Sequence, residues 1–405
     1  MNSQPSAPVS PPPARPPGIS PTRMLATIWL AVFSTSLSLR AVDPIVPQIA
    51  AGLSEPIPTV ALLATAFALP YALMQPVLGA AADVLGKTRM MFACLVVVTA
   101  ATFAGALAPN LSFLMASRVV AGIVAGGIFP VSLALVAQVV PVGGRQVAIG
   151  RLLAGAMLGN LLGASAAGAV ADIVGWRAVF VFNGFCAAAA LLAAFIGFGG
   201  PGAKPPQAIH LAAVPASYRA IFSHPLAKFC FGAVLLEGMF LFGLFPFIAS
   251  LLHAAGEERA TIAGLVIAGF GAGGILYAFV VALALSALGQ RWMMFLGGLL
   301  MGLGLMALAV QPAWPTQLAI FVVFGLAFYL LHGVIQIVVI ELAPAARSTA
   351  AAMHSTFFFL GQSIGPVFYR IGFAELGTTA SFVIGGTVLI ATGVICAIWL
   401  VHRPR

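Results

Sequence analysis

Long apolar segments separated by short polar breaks run along almost the whole chain. They predict twelve membrane-spanning helices at residues 24–49, 58–82, 88–108, 112–138, 147–171, 177–199, 226–252, 261–286, 291–311, 315–341, 348–371 and 378–401. Every segment reaches the length of about 20 residues that a helix needs to cross the hydrocarbon core of a bilayer. Their unbroken apolar runs exclude a membrane β-barrel, whose strands alternate apolar and polar residues. The sequence therefore predicts an all-α integral membrane protein.

One break between segments is much longer than the others, and it follows the sixth span. Residues 200–225 hold several prolines and basic side chains. We interpret this stretch as a cytoplasmic linker between two six-helix bundles, residues 24–199 and 226–401. Residues 1–23 contain eight prolines and little that could be buried, so they are predicted to form a disordered cytoplasmic tail.

The two predicted bundles repeat each other in sequence. LGKTRMMF at 85–92 resembles LGQRWMMF at 288–295, at an offset of 203 residues. Residues 145–163 align without gaps with residues 347–365, at an offset of 202. Halves of six spans keep the same orientation in the membrane, so they are predicted to be parallel repeats with a solute site near the midplane between them.

Composition and charge agree with a membrane protein. Hydrophobic residues make up 61% of the chain and charged residues 7%, and the mean hydropathy is +1.11, whereas soluble domains carry about 25% charged residues. The net charge of +9 indicates orientation rather than a nucleic-acid partner, because 13 of the 18 basic residues fall on the side of the N-terminus. We therefore expect a multi-pass protein of the inner (plasma) membrane with both termini cytoplasmic.

The loop after the second span reads GAAADVLGKTR at residues 79–89. It resembles the G-x-x-x-D-x-x-G-[RK]-x-[RK] loop of the major facilitator superfamily, and its second glycine permits a tight turn closed to other residues. The resemblance implies the major facilitator fold, transport of small solutes by alternating access, and a monomer. It also implies a cytoplasmic gate formed by Gly79, Asp83, Gly86, Lys87 and Arg89.

Two further stretches resemble the drug:proton antiporter and sugar-efflux branch of that superfamily. In the fourth span, RVVAGIVAGGIFP begins with Arg118. A charge inside a span costs about 2.5–3.5 kcal/mol on insertion scales, so Arg118 is expected to face a cavity or a partner, or alternatively to snorkel to the outer interface.

The fifth span carries a glycine series that resembles the antiporter motif but has Asn160 in the position of its proline. Small residues four apart also let helices pack closely, and that reading is equally good. The members of the series are Gly155, Gly159, Gly163 and Gly168.

Other polar side chains in the spans are candidates for proton coupling. Glu237 lies midway along the seventh span, where desolvation favours the neutral form of a carboxyl and allows it to take and release a proton. The alternative is a packing residue. Arg40 and Asp43 in the first span are three residues apart and are expected to pair on one helix face, either for function or as a structural pair near the outer mouth.

His332 and Gln336 are one turn apart in the tenth span and could bind solute or relay protons. A hydrogen bond between helices is the alternative for the histidine. Gln75 and Asn160 are further candidates. The predicted cavity residues are therefore Arg40, Arg118, Gln75, Asn160, His332 and Gln336.

The sequence contains no constellation that indicates an enzyme. There is no phosphate-binding loop ending in Lys-Ser or Lys-Thr, the four cysteines are dispersed, and the histidines show no metal-ligand spacing. We therefore predict no catalytic residue, no metal and no cofactor.

The function that these features predict is secondary transport. We expect export of small amphipathic or drug-like solutes coupled to inward proton movement, with Glu237 as the coupling acid and Asp43 as its alternative. The partners are then a small solute, protons and the lipid bilayer. The 30 Phe residues favour an apolar solute. A sugar or metabolite exporter or uptake carrier is the main alternative, and a channel or an integral membrane enzyme is a remote one.

Overall fold

The structure is a computed structural model that describes residues 21–141, 144–200, 214–342 and 347–400. Most of the predicted tail and half of the predicted linker lie outside these residues. The helices are α1 (Pro21–Arg40), α2 (Val46–Leu53), α3 (Ile57–Val60), α4 (Leu63–Leu85), α5 (Lys87–Ala106), α6 (Leu111–Val139), α7 (Arg145–Val174), α8 (Trp176–Phe198), α9 (Val214–Phe222), α10 (Ala227–Phe240), α11 (Phe245–Ala254), α12 (Ala260–Leu308), α13 (Trp314–Glu341), α14 (Arg347–Glu375) and α15 (Gly377–Trp399). We call α1–α8 the N-terminal half and α10–α15 the C-terminal half.

Within the described residues, the helices confirm the predicted all-α fold with twelve spans. Ten segments are long and apolar enough to cross a membrane. One of them, α12, holds two spans, because its helical conformation breaks at Gly289. Another span is α14, which has 29 residues but is too polar to be counted among the ten.

The first and seventh spans are both interrupted, which the sequence analysis did not predict. A 3-10 turn at Asp43–Ile45 separates α1 from α2, and another at Phe242–Leu244 separates α10 from α11. The helix after each turn has a proline in its first turn, Pro47 in VPQIA and Pro246 in FPFIA. Proline lacks the N–H that would be left unpaired there, so it fits the start of a helix. The two breaks point toward the region where the halves meet.

The sequence repeat extends to backbone conformation. Gly86 (φ +93°) and Gly289 (φ +71°) occupy matching positions at the offset of 203. Gly175 (φ +101°) and Gly377 (φ +81°) match at the offset of 202. Glycine adopts positive φ without the steric cost that a Cβ imposes. Each half therefore turns between the same pairs of helices on a single glycine.

Glycines also let helices approach within each half. A Cβ placed on Gly159 of α7 would collide with the carbonyl oxygen of Phe33 in α1. A Cβ on Gly361 of α14 would collide with the carbonyl oxygen of Leu235 in α10. Both members of the second contact lie 202 residues after those of the first. The glycine series of the fifth span thus has a packing role, and the same register recurs in the second half.

Candidate functional site

A cavity of about 260 Å³ lies between the two halves. Side chains of α1 and α7 line it on one side, and side chains of the C-terminal half line it on the other. Its polar lining residues are Arg40, Asn160, Tyr329, His332, Gln336 and Gln362. The other lining residues are apolar, and six of them are phenylalanines, at positions 242, 245, 270, 328, 358 and 359. The structure thus brings four of the six predicted cavity residues to one cavity.

Arg40 joins the two halves at the wall of this cavity. Its side chain is buried, with Nη1 3.3 Å from Oδ2 of Asp43. The expected ion pair is therefore present, but Asp43 lies in the 3-10 turn after α1 rather than on the same helix face. Nη2 donates to Oε1 of Gln362 in α14 at 3.2 Å. The guanidinium also lies 4.8 Å from the ring centroid of Phe242 and 4.7 Å from that of Phe245, within the range of cation–π attraction.

Arg118 lies elsewhere, inside the N-terminal half. It is 3% exposed, so it does not snorkel to an interface. Nη2 donates to the carbonyl oxygen of Ser38 at 3.3 Å, and the guanidinium lies 4.2 Å from the ring centroid of Phe67. Its Nε has no hydrogen-bond partner. Arg118 therefore holds a positive charge behind the cavity wall rather than in it.

Glu237 and His332 form a buried pair beside the cavity. Oε2 of Glu237 lies 2.8 Å from Nδ1 of His332. A hydrogen bond at this distance requires one proton, carried either by the imidazole or by the carboxyl. Glu237 is fully buried and its Oε1 has no partner, whereas His332 reaches the cavity wall. The pair is thus a place where one proton can be held close to a bound solute.

His354 of α14 is a member of this cluster that the sequence analysis missed. Its ring centroid lies 4.5 Å from that of His332, and the rings meet edge to face. It is 2% exposed and its Nε2 has no hydrogen-bond partner. The sequence offered one signal for this residue: it is a histidine inside the predicted span 348–371, whose helix α14 is too polar to be counted among the ten apolar segments.

The remaining predicted residues do not line the cavity. Gln75 is buried on α4, the helix that packs against α14. In the predicted gate loop, Gly86 makes the turn between α4 and α5, and Lys87 begins α5. Asp83 belongs to α4, but its side chain lies outside the described part of the structure. The gate role of this loop stays a prediction.

The two halves also meet at the end of the molecule opposite to this loop. Asp172 near the end of α7 accepts hydrogen bonds from the backbone N–H of Ala260 (3.0 Å) and of Thr261 (2.7 Å), at the start of α12. The Thr261 hydroxyl and the Gln48 amide donate to the same carboxylate. A carboxylate at a helix N-terminus satisfies unpaired N–H groups and the positive end of the helix dipole. One half thus caps a helix of the other.

One more hydrogen bond joins the two halves, beside the cavity residue Gln362. The hydroxyl of Thr65 donates to the carbonyl oxygen of Ser363 at 2.7 Å, which joins α4 to α14. In the exposed loop before α12, Arg259 forms a two-fold hydrogen bond to Glu257. This bond lowers the pKa of the Glu257 carboxyl. The end that holds Asp172 therefore carries a helix cap that joins the two halves and a solvated ion pair beside it.

Comparison with known proteins places this architecture among transporters. The family model described as Major Facilitator Superfamily matches residues 28–286 and 246–405. The uncharacterised MFS-type transporter YfhI of Bacillus subtilis is 25% identical over 384 residues, covering 92% of each chain. The multi-drug resistance efflux pump PmrA of Streptococcus pneumoniae is 26% identical, covering 85% of this chain and 87% of that protein. A probable sugar efflux transporter of Helicobacter pylori is 24% identical, covering 84% and 85%.

Among solved structures, a mutant of the peptide transporter POT in complex with sulfate superimposes with a TM-score of 0.75. The match covers 92% of this chain and 93% of that one at 17% sequence identity. At this identity the likeness concerns the fold.

Proposed function

Since this chain belongs to the major facilitator superfamily, we propose that it is a secondary active transporter that exports small amphipathic solutes in exchange for protons. The observation that carries this proposal is the cavity between the halves, with the Glu237–His332 pair at its wall. A solute site and a proton site that share one wall allow the binding of one to depend on the other. The multi-pass membrane fold and the family agree with a carrier of small molecules.

Alternating access in this proposal is a rocking of residues 24–199 against residues 226–401 about the cavity. The carboxylate of Asp172 holds the two halves together at one end. With both termini cytoplasmic, as the charge distribution favours, that end faces outward. The described conformation is then closed to the outside, and the 79–89 loop acts in the opposite state.

Glu237 is the better of the two candidate coupling acids. Asp43 is already engaged by the guanidinium of Arg40. Glu237 has one oxygen on His332 and the other without a partner, so its hydrogen bonding can change when the cavity fills. In the exchange, a solute that moves His332 weakens the hold on the proton, which leaves to water. Protonation from the opposite side then resets the pair.

The lining favours a solute with an apolar body. Most lining residues are apolar, six of them phenylalanines, and the cavity volume lies just below the range of about 300–1,000 Å³ typical of drug-sized ligands. One observation favours the alternative of a sugar or metabolite carrier: the amides of Asn160, Gln336 and Gln362 also face the cavity. These three amides are few beside the apolar lining residues, so the amphipathic solute is our first candidate.

Proton flux in liposomes tests the proposal. Purified protein is reconstituted with a pH-sensitive dye inside, a pH gradient is imposed, and lipophilic cations, sugars, amino acids and neutral aromatic amides and alcohols are added in turn. We expect at least one solute to evoke saturable proton movement, and Glu237→Gln to abolish it. Glu341→Gln, at the exposed end of α13, is the matched control and should leave it unchanged.

Two other results would decide against parts of the proposal. Saturable solute exchange without proton flux would leave a carrier but exclude proton coupling. Flux that does not saturate and shows no counterflow would indicate a channel and contradict alternating access.

A further inference from the structure

Two corners of the cavity occupy equivalent positions in the two halves. The offset of 202 residues relates Asn160 to Gln362 and Arg40 to Phe242. The same offset relates the glycine contact between α1 and α7 to the one between α10 and α14, so both helix pairs keep a common register. All four side chains line the cavity. We call Arg40 and Gln362 the first corner, and their counterparts in the repeat, Phe242 and Asn160, the second.

The two corners differ in hydrogen bonding. In the first, Nη2 of Arg40 donates to Oε1 of Gln362. In the second, Phe242 has no donor to offer, and Oδ1 of Asn160 is buried without a partner. Buried amide oxygens in folded proteins are almost always paired. What the second corner lacks is an N–H or O–H group, and the cavity in front of it is the place from which a solute could supply one.

The charge of the wall limits what that solute can carry. Among the lining residues that the structure describes, Arg40 is the only one with a permanent charge. The carboxylate of Asp43 compensates this charge, so a cationic group would find no acidic lining residue to pair with and would lie beside a guanidinium. An anionic group would have to compete with the carboxylate of Asp43, which already pairs with Arg40. An uncharged polar group meets neither obstacle.

We infer that the transported solute is a neutral amphipathic molecule whose amide or hydroxyl group donates a hydrogen bond to Asn160. Its apolar body, best an aromatic ring, lies among the phenylalanines. A small rotation of the Asn160 amide brings its oxygen to the solute, and the guanidinium of Arg40 can donate to the solute's own oxygen. This inference rests on the transporter function proposed above and names the class of its substrate.

Five compounds with one phenylpropyl body and different head groups test it. They are 3-phenylpropionamide, 3-phenylpropanol, 3-phenylpropylamine, 3-phenylpropionate and methyl 3-phenylpropionate. Their affinities for the purified full chain are measured by titration calorimetry in detergent. We expect the amide and the alcohol to bind at least about tenfold more tightly than the amine and the carboxylate. Asn160→Leu should weaken the amide about threefold to tenfold, the usual effect of one neutral hydrogen bond.

The methyl ester is the internal control, because it has the same body and no donor. Its affinity should be the same for the natural chain and for Asn160→Leu, which also shows that the variant cavity is intact. Equal weakening of amide and ester would overturn the role of Asn160. Tightest binding of the amine or the carboxylate would overturn the neutral head group.

Failure of this inference and failure of the transporter function give different results. If a cation or a sugar evokes saturable proton flux in liposomes while the amide does not bind, the carrier stands and the substrate class is wrong. If no compound binds and no solute is exchanged, both are wrong.

Discussion

Nδ1 of His332 lies 2.8 Å from Oε2 of Glu237, although 95 residues separate them in the chain. The contact joins α13 to α10 and gives a fully buried carboxyl its one described partner. Because His332 also touches the cavity, any displacement of this imidazole by a solute changes the surroundings of the carboxyl. The proposed coupling therefore depends on the histidine as much as on the acid.

Replacing His332 by phenylalanine should uncouple proton movement. The imidazole of His332 stacks on Phe328 with 4.4 Å between ring centroids. A phenylalanine ring can keep this stacking, but it offers no nitrogen to Glu237. We expect solute-evoked proton flux in liposomes to fall at least about tenfold, since a general acid–base partner contributes effects of that size or more. His354→Phe is the comparison variant, because the structure shows no hydrogen bond from His354 to an acid, and it should keep most of the flux. Undiminished flux in His332→Phe would exclude the pair as the proton site.

Removing the Asp172 carboxylate should favour opening of the closed end. Asp172→Ala leaves the first N–H groups of α12 without their cap, a loss of about 0.5–2 kcal/mol, which shifts the ratio of the two states about twofold to thirtyfold. Spin labels are placed at Leu107 in one half and Val310 in the other, which are both 80% exposed at this end. Opening should lengthen the distance between the labels, measured by double electron–electron resonance. Asp172→Asn keeps one acceptor and should shift the distances less. Identical distances in all three proteins would show that the cap does not hold the halves together.

Glycine packing in α7 predicts that two glycine-to-alanine substitutions on this helix have different effects on stability. Gly159→Ala forces a methyl group into the backbone of α1 at Phe33, so we expect thermal stability in detergent to fall by several degrees. Gly150→Ala on the same helix meets nothing within 4 Å and should leave stability equal or slightly higher, since alanine favours helix by about 1 kcal/mol. Equal melting temperatures for the two variants would contradict the close approach of α1 and α7.

Breaking the buried ion pair should cost more than removing it. Arg40→Gln leaves the carboxylate of Asp43 buried without its partner, a change that costs about 3–5 kcal/mol in buried pairs. The double variant Arg40→Gln, Asp43→Asn has no such charge and should recover most of the lost stability. Thermal unfolding of the three proteins measures this directly. A double variant no more stable than Arg40→Gln would mean that Asp43 does not depend on Arg40.

The spans could be predicted from sequence because lipid demands a continuous apolar exterior. The Arg40–Asp43 pair could be predicted because the two residues are three apart in the chain, although Asp43 lies in the turn after α1. The break after α10 could not, since residues 242–244 keep the apolar character of the helices around them. The break after α1 had a signal in Asp43 and Pro44, which the sequence analysis did not use. The polar residues of α14 can be read from the sequence, but which side chains they contact depends on the packing of α14 against α10 and α4.

The partners within the site could not be predicted either. Glu237 and His332 were both candidates, but nothing in the chain indicates that two residues on different helices face each other. Gln362 and His354 drew no attention, because their contacts with Arg40 and His332 arise only when α14 packs between the halves. Hydrophobic periodicity predicts the elements of a membrane protein, while the register between helices decides which polar groups meet.

The single-glycine turns make the connections between four pairs of helices very short. At Gly86, Gly175, Gly289 and Gly377 one helix ends and the next begins with no intervening loop, so adjacent helices cannot slide apart lengthwise. The two helices of each pair are fixed relative to each other at the turn they share. Insertions of a few residues at these four glycines would lengthen the turns and let the two helices shift relative to each other. The turns are therefore poor places for a reporter or a tag. The predicted linker 200–225 is the longest break between spans in the sequence, so a tag, or a cut between two co-expressed halves, is better placed there, ahead of α9.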